Sequence, residues 1–362
     1  MNYYLIAGEL SGDIHGANLI HDLKKVDPQA KFRGVGGDNM NSEQMDLLFN
    51  YQSITLMGFW QVLIKGSRLL RAISQCKSDI LAFKPDVIIL IDFGGFNLRI
   101  AKFAKFNGIR VVYFIPPKVW AWGSWRVSQL RRSVDEIIVL FPFEKKYFNN
   151  IGLEEVHYFG NPMHETLNRS VEVARSSDEG LIALLPGSRV QEVKSSLELM
   201  FGAAEKLPDH NFVVCAVDAI GKENYTTMKR PDNVSIEFNS TYEVLSKARA
   251  AVVVSGTASL ECCLLKVPQV VVYRTDRLNF LIARLLIKVK FISLVNLVAE
   301  KRIVKELIQG NFTVQNLSDE LSQLLRNQEI RQSMQNGYEE VSNELEGKKV
   351  YEKAAKLIAI GN

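Results

Sequence analysis

Tyr3-Tyr4-Leu5-Ile6-Ala7-Gly8-Glu9-Leu10-Ser11-Gly12-Asp13-Ile14-His15-Gly16 opens the chain with an apolar run that breaks on glycine and turns helical. A continuously apolar run of this length reads as a strand covered on both faces. Gly8 and Gly12 permit a tight turn, and Asp13, with Ser11 as the alternative, reads as the helix N-cap. The same unit recurs. Further strands are expected at 32–35, 87–91, 111–115 and 137–141, and a second series at 181–185, 212–217, 234–238, 251–254 and 270–273. Strands alternating with helical stretches imply parallel sheets with helices on both sides. The expected fold is therefore α/β, with two doubly wound domains facing a central cleft.

The chain has 362 residues, a length that favours two domains. The series breaks near Gly160-Asn161-Pro162-Met163, and a polar stretch precedes the strand that opens at Leu181. We expect one domain over 1–165, completed by a C-terminal helix within 345–362, and a second over 166–344. Apolar residues make up 47% and charged residues 23%, ordinary globular values that exclude a disordered chain. The 44 Lys and Arg against 40 Asp and Glu leave +4, too small an excess to argue for nucleic acid. Uncharged apolar runs fall short of the ~18–20 residues that span a bilayer. Mean hydropathy near zero is nevertheless high for a freely soluble chain. The first residues lack the basic region and long apolar core of a secretory signal. Cys76, Cys215, Cys262 and Cys263 have no zinc-like spacing and read as buried, reduced thiols, so no metal is expected.

Chemistry concentrates where strands end. Glu9, Ser11, Asp13 and His15 follow the first strand, where ligands of doubly wound folds bind. A capped turn alone would explain the glycines but not Glu9 at the tip. Gly34-Val35-Gly36-Gly37-Asp38 marks a close approach, either to a neighbouring loop or to a ligand. Asp92-Phe93-Gly94-Gly95-Phe96-Asn97 follows the strand at 87–91. A carboxylate at the end of a buried strand is expensive unless paired or catalytic, which makes Asp92 the leading general base. Leu185-Pro186-Gly187-Ser188-Arg189 combines a glycine turn, a helix start and an Arg, an anion site in which Ser188 and Arg189 contact phosphate. Ser255-Gly256-Thr257-Ala258-Ser259-Leu260-Glu261 is a second small-residue loop, with Ser255, Gly256 and Thr257 at a diphosphate and Glu261 placed for ribose hydroxyls. It lacks the Walker lysine, and the chain lacks Gly-x-Gly-x-x-Gly, which disfavours ATP hydrolysis and dinucleotide binding. The second domain would hold a nucleotide diphosphate, the first an acceptor and its base.

Two segments are basic and apolar without a single acid. The stretch 55–78 carries Trp60 and Leu63 with Lys65, Arg68, Arg71 and Lys77. The stretch 277–291 carries Phe280, Leu281 and Leu285 with Arg277, Arg284, Lys288 and Lys290. Such segments lie in anionic membrane interfaces, although a surface helix with one wet stripe has the same pattern. Between them, Pro116-Pro117-Lys118-Val119-Trp120-Ala121-Trp122-Gly123-Ser124-Trp125-Arg126 places three tryptophans in a loop beside cations, suited to stacking on sugars or acyl chains.

Taken together, these motifs resemble the lipid-A-disaccharide synthase family. The match runs in order through Ala7-Gly8-Glu9-x-Ser11-Gly12-Asp13, Gly34-Val35-Gly36-Gly37, Met57-Gly58-Phe59, Asp92-Phe93 with Phe96-Asn97, and Pro117-x-Val119-Trp120-Ala121-Trp122. It continues through Phe141-Pro142-Phe143-Glu144, Gly160-Asn161-Pro162-Met163, Leu185-Pro186-Gly187-Ser188-Arg189, Ser255-Gly256-Thr257-Ala258 and Asn296-Leu297. The resemblance implies a GT-B fold of two Rossmann-like domains and an inverting glycosyltransferase that needs no cofactor. The implied substrates are UDP-2,3-diacylglucosamine and 2,3-diacylglucosamine 1-phosphate (lipid X), the products a β-1,6 disaccharide and UDP. The implied place of work is the inner face of the cytoplasmic membrane, in contact with anionic lipid. It matches Asp92 to a family acid tied to catalysis, Glu9 to the loop acid, Arg189 and Asn296 to functional polar positions, and Ser255–Glu261 to the UDP loop; with Glu9 also a catalytic candidate, Ser11, Asp13, Asn97, Trp120, Trp122 and Asn296 are the residues expected at the substrate. It departs at one position: the usual Asp-x-Pro-Asp-Phe-Asn has Gly95 in place of its second acid. Asp92 is then the preferred base, with Glu9 second. The competing readings are another UDP-GlcNAc-dependent GT-B enzyme, a glycan transferase or epimerase, and a non-catalytic nucleotide-sugar binder on the membrane. The oligomeric state, a homodimer among the options, is left open.

Overall fold

The computed structural model describes residues 1–55, 62–121, 123–164, 167, 181–276, 280 and 289–360. The chain divides into two units, Met1–Pro162 with Gly347–Asn362, and Met163–Glu346.

The first unit is built on a seven-stranded sheet. Its strands are β1 (Asn2–Ala7), β2 (Lys31–Gly36), β3 (Asp46–Asn50), β4 (Val87–Ile91), β5 (Arg110–Phe114), β6 (Glu136–Val139) and β7 (Val156–Tyr158). Their order is β3-β2-β1-β4-β5-β6-β7, with every pair parallel. The continuous apolar runs are explained by cores on both faces. Alternation sends Tyr4 and Ile6 of β1 into one core with Ile88, Leu90 and Tyr113. Tyr3, Leu5 and Ala7 enter the other, with Ile89, Val112 and Phe114.

The second unit repeats the plan with β8 (Leu181–Leu185), β9 (Asn211–Ala216), β10 (Val234–Phe238), β11 (Ala250–Val254), β12 (Gln269–Tyr273) and β13 (Lys305–Ile308). The order is β10-β9-β8-β11-β12-β13, again with every pair parallel. In each sheet the first strand lies beside the fourth, so the order in which strands are added reverses between β1 and β4, and between β8 and β11. Crevices at such reversals hold the ligands of this architecture.

The sequence reading missed three strands. β3, β7 and β13 are short edge strands of three to five residues with half-buried or mixed patterns, so they lack the continuous apolar run that marks a central strand. The glycines of β2 prove to be packing positions. Gly34 has φ +147°, and a Cβ there would run into the Leu5 carbonyl. Gly36 and Gly37 lie against Met40, Met45, Tyr51 and Asp13.

The last helix, Val350–Ile360, belongs to the first unit. Ala354, Ala355 and Ile358 are fully buried in its core. Arg110 Nη1 donates to the Ile358 carbonyl at 2.6 Å and Nη2 to that of Leu357 at 3.2 Å, satisfying helix-end acceptors. His15 Nδ1 lies 2.8 Å from the Tyr351 hydroxyl.

The helix Val62–Phe83 turns Ala72, Ile73, Cys76 and Ile80 into the core. The spacing of these buried residues is that of a surface helix packed on a sheet, one of the two readings the basic-apolar pattern allowed. Leu70 remains 58% exposed beside exposed Arg68 and Arg71. Leu63 falls in this helix, Phe280 is half-buried, and Trp60, Trp122, Leu281 and Leu285 lie outside the described residues. No helix among the described residues is long and apolar enough to cross a membrane.

Candidate active site

Glu9 and Asp92 meet at the reversal of the first sheet. Glu9 immediately precedes the helix Leu10–Val26 and is exposed; Asp92 follows β4 and is half-buried. Register explains the meeting, because Ala7 pairs with Ile91 and the next residues of both strands leave the sheet side by side. Asp92 shares a hydrogen bond with Glu9. Burial, and then the hydrogen bond and negative charge of Glu9, push Asp92 up to about 7, while Lys118 pulls the other way. Ser11 Oγ donates to Glu9 Oε1 at 3.0 Å, joining the same cluster.

The turn that carries Asp92 is strained and over-determined. Asp92 and Phe93 both adopt the left-handed region, with φ of 46° and 48°. Tyr113 Oη donates to the Asp92 carbonyl at 2.7 Å, and Asn97 Nδ2 donates to it at 2.9 Å. Asn97 Nδ2 also reaches the Ile91 and Ile6 carbonyls, at 3.2 and 3.3 Å, tying the tips of β4 and β1 together. The Phe93 ring occupies the space a Cβ at Gly8 would need and stacks on Phe96 at 5.0 Å. Gly8 is therefore required for the turn. Gly95 is exposed, and a Cβ there would meet nothing within 4 Å.

The structure corrects one sequence assignment and shows how other candidate residues are bonded. Asp13 does not cap its own helix, which starts at Leu10. It is 1% exposed, and its oxygens accept from Gly37 N (2.6 Å), Asn39 N (3.0 Å), Asn39 Nδ2 (2.8 Å) and Met40 N (3.1 Å). Its carboxylate thus satisfies N–H groups at the start of the helix Asp38–Ser42. Asn97 and Asn296 are fully buried. Asn97 braces strand tips as above. Asn296 Oδ1 accepts from Ile303 N and Val304 N, and its Nδ2 donates to the Val304 carbonyl and Glu306. Neither side chain has accessible surface, and both hold backbone segments in place. Trp120 Nε1 is committed to Glu144 Oε1 at 2.9 Å and its ring packs edge-on to Phe143, so its polar atom is not available to a sugar.

The second crevice brings the two glycine loops together. Ser188 and Arg189 follow β8, and Ser255, Gly256 and Thr257 follow its neighbour β11. Glu192 reaches back to the Ser188 N–H at 3.1 Å, and Arg189, 79% exposed, lies 3.5 Å from Glu192. Ser255 Oγ donates to the Ile292 carbonyl at 2.8 Å. Gly256 and Thr257 are exposed at the start of the helix Thr257–Leu264, and a Cβ at Gly256 would meet the Val254 carbonyl oxygen at an ordinary 3.9 Å. Such a start offers N–H donors to an anion. Tyr242 Oη donates to Glu261 Oε1 at 3.3 Å, and burial raises the Glu261 carboxyl.

Sequence reading gave no role to Tyr113, Lys118 or Glu144. Tyr113 hides inside an apolar strand run. Glu144 did carry a signal: an acid two residues after Pro142 is the pattern of a helix start. Its Oε2 accepts from Phe141 N at 3.2 Å and Leu140 N at 3.3 Å.

Comparison with known proteins agrees with this arrangement. A family model described as Lipid-A-disaccharide synthetase matches residues 3–360. The lipid-A-disaccharide synthase of Syntrophus aciditrophicus is 36% identical over 352 residues, covering 91% of this chain and 90% of its own. That of Myxococcus xanthus is 34% identical over 354 residues, covering 94% and 92%. Among solved structures, the glycotransferase of kitacinnamycin superposes with a TM-score of 0.66 at 14% identity, covering 99% of this chain and 98% of its own. A UDP-GlcNAc 2-epimerase from Neisseria meningitidis, bound to UDP-GlcNAc, superposes with a TM-score of 0.58 at 16% identity over the full length of both chains. These structural likenesses establish the two-domain GT-B fold. The family match spans both crevices and both sheets, and the chain belongs to the lipid-A-disaccharide synthetase family of glycosyltransferases.

Proposed function

We propose that the chain transfers 2,3-diacylglucosamine from its UDP donor to lipid X, forming the β-1,6 disaccharide 1-phosphate and releasing UDP, with Asp92 as the general base. The observation that carries this reading is the Glu9–Asp92 pair at the reversal of the first sheet. A carboxyl raised to about 7 is matched to taking a proton from a sugar hydroxyl near neutral pH. In the reaction, Asp92 accepts the proton of the acceptor 6-hydroxyl as its oxygen attacks the anomeric carbon. The bond to the diphosphate breaks, and UDP leaves with the electron pair. Arg189 and the N–H groups at Gly256 and Thr257 receive its negative charge. Glu261 is placed near the ribose. Ser11 orients Glu9.

The membrane contact is part of the same proposal. Acylated substrates reside in a bilayer, and exposed Arg68, Leu70 and Arg71 line one flank of the first unit. A groove of about 760 Å³ lies there, with Leu48, Phe49 and Ala72 as apolar wall and both arginines at its edge. This supports a peripheral enzyme on the cytoplasmic face of the inner membrane.

The test is UDP release from UDP-2,3-diacylglucosamine and lipid X, with and without chelator, and with UDP-GlcNAc as an unacylated donor. Turnover is expected with the diacylated pair alone and unaffected by chelator. Asp92→Asn is expected to lower kcat by at least about 100-fold with thermal unfolding unchanged. Near-normal turnover by the folded variant would sink the base assignment.

A further inference from the structure

The loop after β5 is clamped between the Asp92 turn and the helix Pro142–Asn150. On one side Pro117 packs on the turn, since a Cβ at Gly94 would lie 2.7 Å from Pro117 Cβ. On the other side the loop has three anchors on that helix. Trp120 Nε1 donates to Glu144, the Trp120 ring meets Phe143 at 4.9 Å, and Tyr147 Oη reaches the Val119 carbonyl at 3.5 Å. Val119 is 2% exposed, so the loop is pinned at its centre. Lys118 stands between Pro117 and Val119 and is exposed.

We infer that Lys118 is a positioning charge for the Glu9–Asp92 pair, and that the Trp120–Glu144 hydrogen bond is what holds it there. The ammonium favours the carboxylate form of Asp92 and also that of Glu144. Two carboxyls at one strand reversal repel each other, and a cation held nearby lets Asp92 be ionised at the pH where it must accept a proton. Lys118 touches no reacting atom in this scheme.

Among the described residues, the groups acting on Asp92 come from each neighbouring element. Glu9 comes from the tip of β1 and Lys118 from the clamped loop. The Tyr113 phenol of β5 donates to the Asp92 carbonyl. Arg126 Nη1 would lie 3.6 Å from a Cβ at Gly94. Glu144 faces Lys118 from the helix beyond. Among the described residues, Lys118 is exposed while its backbone is anchored two residues away by the part-buried Trp120–Glu144 hydrogen bond, which lets it be changed without touching the core.

This inference rests on Asp92 being the base, and the experiment separates the two. The readout is the acid limb of the kcat/KM profile against pH for the full chain with diacylated donor and lipid X. Lys118→Met is expected to move that limb upward by about half to one pH unit, and Lys118→Arg to restore it. Trp120→Phe keeps an aromatic ring but removes the Nε1 donor. It is expected to move the limb in the same direction, and the double variant with Lys118→Met no further than Lys118→Met alone. If Lys118→Met lowers kcat with the limb unmoved while Asp92→Asn stays inactive, Lys118 has another role and the inference fails, with the base assignment intact. Additive shifts in the double variant would overturn the clamp. Turnover by Asp92→Asn would remove the basis of both.

Discussion

Asp92 is held where a carboxyl is costly. Its backbone lies in the left-handed region next to a second such residue, and Ile115, the β-branched residue at the end of β5, has φ 66°. The Ile115 carbonyl accepts from Asp92 N at 3.0 Å, so one strained strand end steadies another. Tyr113 and Asn97 hold the Asp92 carbonyl from two sides. Strain at a strand tip persists only when neighbours over-determine it, and here they fix the carboxyl beside Glu9. Glu9 raises Asp92 by its hydrogen bond and its charge, after burial. Glu9→Gln removes the charge, so the acid limb of kcat/KM should move to lower pH by about one unit, opposite in sign to Lys118→Met. An unmoved limb would show that another group sets it. The sequence exposed Glu9 and Asp92 because both are acids placed after apolar runs. It could not show that they touch, because 83 positions separate them and only the parallel β1–β4 pairing closes that distance.

At the scale of elements, the C-terminal helix is tied to the first sheet by the side chain of Arg110. Arg110 donates to its last carbonyls and is paired with Glu136, both groups being 13% exposed. Arg110→Ala would leave Glu136 buried without its cation and the helix end without its donors. A loss of about 3 kcal/mol in unfolding free energy is expected, with proteolytic cleavage near Gly347 preceding global unfolding. Equal resistance of variant and wild type to protease would contradict the role given to Arg110. His15 contributes at the same junction. Burial lowers it to about 4, so it is neutral in the fold, and its share of stability is lost as pH falls from about 6.5 toward 4. That the tail is helical was readable from its composition. That Arg110, on a strand 248 positions before Ile358, would cap it was not.

At the scale of the whole molecule, the same plan is used twice, with a first strand beside a fourth in each sheet. The buried carboxyls of the first unit set how its stability responds to pH. Burial holds Glu144 up to about 7 against a usual value of 4.5. The folded chain therefore binds more protons than the unfolded chain between those values, and the contribution of Glu144 to stability falls as pH rises through that window. Wild type should lose up to about 1.4 kcal/mol per pH unit more than Glu144→Gln across it, read by denaturant unfolding at pH 5 and 7. Identical slopes would mean that Glu144 is not buried as a titrating acid. The sequence by itself determined the fold class, ten of the thirteen strands among the described residues and the turns that end them, because buried parallel strands must be continuously apolar and must end on turn residues. The tertiary structure alone decided what the polar side chains do. Asp13, Asn97 and Asn296 look like ligand contacts in sequence, and the structure spends their hydrogen bonds on backbone groups of other segments, as it spends Glu144 on Trp120. The reason is physical: hydrophobic periodicity is local in the chain, but whether a hydrogen-bonding group is spent on backbone or left for a ligand depends on which distant segments pack against it.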